Sequence, residues 1–394
     1  MAMPTLDKRI TLRKNEEHRV LAGHPWIFSN EIREKTGNPQ AGDVVELIRS
    51  TGTSLGIGFY HPHSLIAFRL LSASPEEIDA GFFEGRLQRA LALRTAVYPA
   101  ATSYRLVNGE ADSLPGLIID RYNEIFVIQT LSYGMDCRLP MICDALESLL
   151  HPGCIVERNE SPLRVLEHLP QKKGILRGAA GPTTIEEHGL RYVVDVLEGQ
   201  KTGFFLDQRE NRGLAARYCG HGSVLDCFCN DGGFALNAAR GGAAEVLAAD
   251  VSPEAVTRAR ANAALNGLSA VQTHQADIFD LLPSLAGSGR HFDAIVLDPP
   301  SFTHSRKNVQ SAKKGYRDLH MKAFAVLRRG GMLLTASCSH HIEPEVFLTL
   351  VDESARKCGR RLQMLEWRGA APDHPTLPAV PETRYLTFGV FRVE

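Results

Sequence analysis

A doubly wound parallel α/β sheet, preceded by a small β-barrel and a central α/β domain, is the architecture this sequence predicts. Two patterns carry the prediction. From about residue 223 onward, short apolar strands alternate with helical stretches, and strand after strand ends in a carboxylate or a glycine turn. That alternation marks a parallel sheet with its ligand groups at the carboxyl ends of the strands. Ahead of it, residues 1–72 alternate brief apolar runs with turns, the spacing of a small barrel.

The barrel strands are expected near residues 10–12, 44–48, 55–60 and 65–71. Gly23-His24-Pro25-Trp26-Ile27-Phe28 resembles the entry to a PUA domain, an RNA-binding module. The side chains of Trp26 and Phe28 are expected to fill the barrel core. Ser74-Pro75-Glu76-Glu77 reads as a helix start, its acidic pair favoured at the positive end of the helix dipole. A central domain over residues 73–190 then holds a hairpin around Arg121-Tyr122-Asn123-Glu124, a helix over 138–150 and a strand over 154–158. A turn between apolar strands within 185–197 leads into the last domain, residues 191–394.

That domain opens on Val224-Leu225-Asp226-Cys227-Phe228-Cys229-Asn230-Asp231-Gly232-Gly233-Phe234. An apolar strand ends in a carboxylate, breaks at paired glycines and passes into a helix, as in the first βα turn of a nucleotide-binding sheet. The GxGxxG spacing that cradles a pyrophosphate is missing, so a dinucleotide is not the first choice. Glu245-Val246-Leu247-Ala248-Ala249-Asp250 is a second strand, whose terminal carboxylate can accept both hydroxyls of a ribose. Ala276-Asp277-Ile278 marks the end of a third strand. Phe292 to Leu297 forms a fourth that ends in Asp298-Pro299-Pro300-Ser301-Phe302, and Gly331 to Ser339 a fifth.

In this order the motifs resemble those of class I S-adenosylmethionine-dependent methyltransferases, with their Rossmann-like sheet. Together with Asp298-Pro299-Pro300-Ser301-Phe302, Ser337-Cys338-Ser339-His340 and Gly203-Phe204-Phe205-Leu206-Asp207-Gln208-Arg209, the chain resembles the RlmI-like family of 23S ribosomal RNA cytosine-5 methyltransferases. The likeness spans nearly the whole chain, including Glu186-Glu187-His188-Gly189-Leu190, Asp373-His374-Pro375 and Arg384-Tyr385-Leu386.

The resemblance implies S-adenosyl-L-methionine as cofactor. Asp226, Gly232 and Gly233 are then expected at its methionine end, Asp250 at the ribose, and Asp277 and Ile278 at the adenine, with Val251 a further cofactor contact. Cys229, Asp298 and Pro299 line the same pocket. Asp226 and Asp277 have a second reading as helix caps. The segment 201–212 lies over the cofactor in the family pattern, or is simply a helix start with Phe204 and Phe205 in the core. Methylating carbon 5 of cytosine requires a thiolate to add at carbon 6, because carbon 5 is otherwise a poor nucleophile. The resemblance makes Cys338 that nucleophile and Asp298 the partner of the pyrimidine ring; a cysteine merely packed at a strand end is the alternative.

Composition narrows the rest. The chain of 394 residues is 44% hydrophobic and 23% charged, with a net charge of −1, so no global basic field announces a nucleic-acid partner. Residues 301–329 nevertheless hold eight basic residues against Asp318 alone. Lys313, Lys314 and Arg317 are the candidates there for RNA phosphates, against the plainer reading of a solvated face. The eight cysteines show no CxxC, so neither a zinc site nor any other metal is expected. The first residues lack an apolar targeting core and no stretch is long enough to span a bilayer, which points to a reducing cytoplasm. Large-subunit ribosomal RNA is the expected partner, and the resemblance allows a homodimer. Two other functions stay open: an exocyclic-amine RNA methyltransferase using Asp-Pro-Pro-Ser-Phe, and a catalytically idle RNA-binding assembly factor.

Overall fold

The computed structural model describes residues 6–303, 306–339 and 341–394. His340 of the Ser-Cys-Ser-His motif therefore lies outside the described residues, as does the side chain of Arg306. The chain forms two compact units. One comprises Met1–Ile185, Val194–Leu206 and Pro372–Thr383; the other comprises Glu186–Val193, Asp207–Ala371 and Arg384–Glu394.

The first unit contains two sheets. Strands Trp26–Phe28, Ile66–Ser72, Ser54–Tyr60, Val44–Ile48, Arg9–Leu12 and Ile32–Thr36 pair in that order. Ile10, Leu12, Ile27, Val45, Leu47 and Phe68 form its core. Trp26 and Phe28 do not fill that core as expected. Side chains alternate faces along a strand, so burial of Ile27 turns its two neighbours outward. Trp26 instead donates its indole N–H to Glu110 at 2.9 Å, and Phe28 lies beneath the Arg19 guanidinium.

The second sheet runs Lys172–Gly178, Cys154–Asn159, Ile125–Thr130, Leu117–Tyr122, Ser103–Asn108, with helices Ala80–Val97 and Leu139–Leu150 contributing to its core. The hairpin at Asn123, the helix and the strand stand where the pattern put them. The helix expected from Ser74 does not begin there. It starts at Ala80, because the Asp79 carboxylate takes the Phe82 amide at 2.9 Å and caps it there.

In the second unit a seven-stranded sheet runs in the order Val271–Gln275, Glu245–Asp250, Ser223–Cys227, Phe292–Leu297, Leu327–Ser337, Thr387–Val393, Leu362–Arg368. The first five strands are parallel and the last two pair antiparallel. Alternate residues feed opposite faces. Leu225, Ile295 and Leu297 pack with helices Ile278–Gly287, Val309–Val326 and Pro344–Lys357. Val224, Ala294 and Val296 pack with helices Arg209–Tyr218 and Gly233–Arg240. The strand order reverses between Ser223–Cys227 and Phe292–Leu297, which opens a crevice at their carboxyl ends. No helix among the described residues is long and apolar enough to cross a membrane.

Candidate functional site

The crevice is shaped first by backbone. After the strand ending at Cys227, Phe228, Asn230 and Gly232 take φ of 65°, 45° and 80°. Left-handed backbone costs a residue with a Cβ about 1 kcal/mol or more, so Phe228 and Asn230 hold this bend only because their surroundings demand it. Glycine is needed at positions 232 and 233 for space. A Cβ on Gly232 would meet Leu236 at 2.8 Å, and one on Gly233 would meet the Arg212 side chain at 2.3 Å. Arg212 cannot yield easily, because its guanidinium grips Glu187 through Nε at 2.6 Å and Nη2 at 2.7 Å. Burial alone would raise the Glu187 carboxyl, but the charge of Arg212 and its hydrogen bond hold it below the ordinary range.

Carboxylates converge on this bend. Asp226 is fully buried, accepts at Oδ2 from the Ala235 amide at 2.9 Å, and has no partner for Oδ1. Burial, reinforced by the charges of Asp298 and Asp250, raises its carboxyl well above the usual carboxylate range. Asp250 accepts from the Asn230 and Ser252 amides, both at 3.0 Å, so it clasps the bend as well as standing at its strand end. Val251 beside it is exposed. Asp277 is exposed and does cap a helix, accepting from the Phe279 amide at 2.8 Å, while Ile278 is buried. Cys229 is buried, and burial pushes its thiol far up. Asp231 answers Arg258 at 2.5 Å, and Arg258 also donates to the Asn230 side chain at 2.8 Å.

The other wall is made of loops. Cys338 is half-buried, and its thiol points to the Pro299 carbonyl, 3.9 Å away. Asp298 accepts from Gln208 at 3.0 Å, and Gln208 is itself held by Asn211 at 2.7 Å. Ser337 and Ser339, which flank Cys338, both bond the Tyr316 hydroxyl. The structure thus brings Asp226, Asp250, Asp298, Pro299 and Cys338 to neighbouring strand ends. Of the basic trio, Arg317 is held by Glu353 at 2.9 Å. Lys313 is half-buried and Lys314 exposed on the same helix.

Residues 10–73 match the PUA-like domain family, and residues 177–388 match the family described as S-adenosylmethionine-dependent methyltransferase. The ribosomal RNA large subunit methyltransferase I of Shewanella denitrificans is 43% identical over 394 residues, covering 98% of this chain and 99% of that protein. The chain belongs to this methyltransferase family. The protein of the same description from Aeromonas hydrophila is 42% identical to the methyltransferase over 386 residues, covering 96% of this chain and 97% of that one. In fold, the methyltransferase is similar to a solved structure from Streptococcus mutans assigned as a SAM-dependent methyltransferase. The TM-score is 0.83 at 21% identity, covering 98% of this chain and 99% of that one.

S-adenosylmethionine is the cofactor of the family, and the crevice fits it. The cofactor carries two cationic centres, a sulfonium and an ammonium. Here a buried carboxyl with an unpartnered oxygen is repelled by two further carboxylates, and a cation relieves that repulsion. The closed space at Gly232 and Gly233 keeps the bend narrow beside it. Sequence reasoning missed four contacts that shape the crevice and its surroundings: those of Tyr316, the Gln208 contact to Asp298, the Arg258–Asp231 pair and the buried Glu187–Arg212 pair. Gln208 and Glu187 stood in motifs already singled out. Nothing local in the sequence marked Tyr316 or Arg258.

Proposed function

We propose that this methyltransferase modifies carbon 5 of a cytosine in large-subunit ribosomal RNA, with the Cys338 thiolate as transient nucleophile. The observation that carries the reading is a contrast in burial. Of the cysteines at the carboxyl edge of the sheet, Cys227 and Cys229 are buried, whereas Cys338 is half-buried and abuts the Asp-Pro-Pro loop. The names of the ribosomal RNA methyltransferase relatives support the substrate class.

The Cys338 thiolate adds to carbon 6 and pushes the ring electrons toward carbon 5. Asp298, oriented by Gln208, holds the pyrimidine and passes a proton to its ring nitrogen as negative charge builds there, taking it back when the adduct breaks down. Bound S-adenosylmethionine supplies the methyl group that carbon 5 takes up. A base then removes the carbon 5 proton, the electrons return to the ring, and the thiolate leaves. Asp226, Gly232 and Gly233 hold the methionine end, Asp250 the ribose, Asp277 and Ile278 the adenine, with Val251 a further cofactor contact; Cys229 and Pro299 line the pocket. Lys313, Lys314 and Arg317 meet RNA phosphates, with the barrel of residues 1–72 as a further RNA contact. Residues 73–190 form the central domain and 191–394 the methyltransferase domain of this reading. The target cytosine must be unstacked to reach the thiol.

The test is a trap. Ribosomal RNA carrying 5-fluorocytosine has no removable proton at carbon 5, so the adduct with Cys338 persists. A crosslinked peptide containing Cys338, with cofactor consumed, is the expected result. Methylation of an exocyclic amine with no crosslink would replace this reading with the amine mechanism.

A further inference from the structure

We propose that Tyr316 is a positioning residue that fixes the Cys338 turn against the Asp-Pro-Pro loop; this rests on the cytosine-5 reading above. Tyr316 is fully buried on the helix Val309–Val326. Its phenol donates to Ser337 Oγ at 2.9 Å and lies 3.0 Å from Ser339 Oγ. Those serines are the two chain neighbours of Cys338. Ser339 Oγ in turn accepts from the Phe302 amide at 3.2 Å and sits 3.3 Å from Ser301 Oγ. One hydroxyl therefore connects the turn that carries the thiol to the loop that carries Asp298.

The ring makes a second tie to the same loop, stacking at a tilt on Phe302 with centroids 4.6 Å apart. The base of Tyr316 is held too. Its carbonyl can only accept, so His320 Nδ1 carries the proton of that 2.6 Å bond, and His320 Nε2 accepts from Thr335 at 2.9 Å. His320 thus fastens the helix to the strand Leu327–Ser337 just before the cysteine turn. Burial pushes the Tyr316 hydroxyl up to about 12, so it remains a protonated donor and takes no part as a base. Thiol addition needs sulfur and carbon 6 aligned closely, and a displacement of about 1 Å can cost a hundredfold in rate.

Tyr316→Phe keeps the ring contact with Phe302 and removes only the hydroxyl. For the full-length enzyme we expect kcat for methyl transfer to fall about 10- to 100-fold, with KM for S-adenosylmethionine unchanged. The rate at which iodoacetamide alkylates Cys338, followed by peptide mass spectrometry without RNA, should also change, because the turn carrying the thiol is released. Should Tyr316→Phe fold poorly, the Ser337→Ala, Ser339→Ala double variant removes the same bonds from the loop side and should behave alike. Unchanged kcat and unchanged alkylation, with Cys338→Ala inactive, would overturn the positioning role. A loss of kcat accompanied by raised KM for the cofactor and a lowered melting temperature would overturn it as well, since that pattern reports general damage. An active Cys338→Ala enzyme would instead remove the cytosine-5 reading on which the proposal stands.

Discussion

Cys229 and Cys338 stand at the carboxyl edge of one sheet, and their surroundings are opposite. Cys229 lies inside the bend that follows the first strand, where its amide bonds Ala249 and burial pushes its thiol far up. Cys338 lies on a turn held by hydroxyl groups and keeps part of its surface in solvent. The first wall of the crevice is built from backbone, with left-handed residues, glycines and clasping carboxylates. The second is made of loops, held in place by side chains such as Tyr316 that reach across from a helix. The difference teaches that a thiol's role at a strand end is set by what its neighbours leave open to a substrate, since a buried thiol is both inaccessible and hard to ionise.

Exchanging the two roles is the strongest way to break this comparison. Cys338→Ala is expected to lower methyl transfer by about a thousandfold or more, as loss of a nucleophile does, while cofactor affinity stays intact. Cys229→Ala should retain most of its activity, measured as tritiated methyl transfer to ribosomal RNA. A dead Cys229→Ala enzyme beside an active Cys338→Ala one would invert the assignment.

Stability should divide the walls next. Burial lowers the His320 pKa to about 4 from its ordinary 6.5. As pH falls, the unfolded chain takes up this proton first. The stability held above pH about 6.5 is therefore lost between about 6.5 and 4, by about 3 kcal/mol in all. His320→Gln should flatten that part of the acid limb in urea unfolding measured at stepped pH. An unaltered limb would show that the helix beneath Cys338 does not depend on this imidazole.

On the backbone-built wall, Asp250→Ala should weaken S-adenosylmethionine by about 1.5–3 kcal/mol, the worth of a charged hydrogen bond. Calorimetry on the folded variant reads it. Unchanged affinity would leave Asp250 only its bonds to the Asn230 and Ser252 amides. The smallest effect concerns the RNA approach. Lys313→Ala with Lys314→Ala should reduce the log–log salt slope of RNA binding by roughly 0.7–0.9 for each phosphate no longer neutralised. Arg317→Ala should add less, because Glu353 already occupies its guanidinium. An unaltered slope would make this helix face a solvated surface.

The backbone-built wall was legible in the sequence because its information is local. Asp226, Gly232, Gly233 and Asp250 sit within a few residues of strand ends whose apolar runs are unmistakable. The side-chain wall was half legible: Cys338 and Asp298 stood out, but Tyr316 is an unremarked tyrosine in a helical stretch, and the partners of its hydroxyl lie more than twenty residues away. Glu187–Arg212 and Arg258–Asp231 were hidden for the same reason. The strands Ser103–Asn108, Lys172–Gly178 and Leu362–Arg368 escaped because their polar residues blur the alternation. The Ser74 helix start failed to a stronger cap at Asp79, a few residues along.

The order of the seven-stranded sheet has a consequence for synthesis. Thr387–Val393 is the last of its strands to leave the ribosome, yet it sits inside the sheet, between Leu327–Ser337 and Leu362–Arg368. Until it emerges, Leu327–Ser337 shows an unpaired row of amides and carbonyls immediately before the cysteine turn, the kind of edge that recruits foreign strands. A nascent chain arrested ahead of residue 387 is thus expected to be cut readily by protease around that strand, and a released chain to resist. The half of the sheet that carries the thiol is then completed last, after the half that carries the glycine bend has all of its strands.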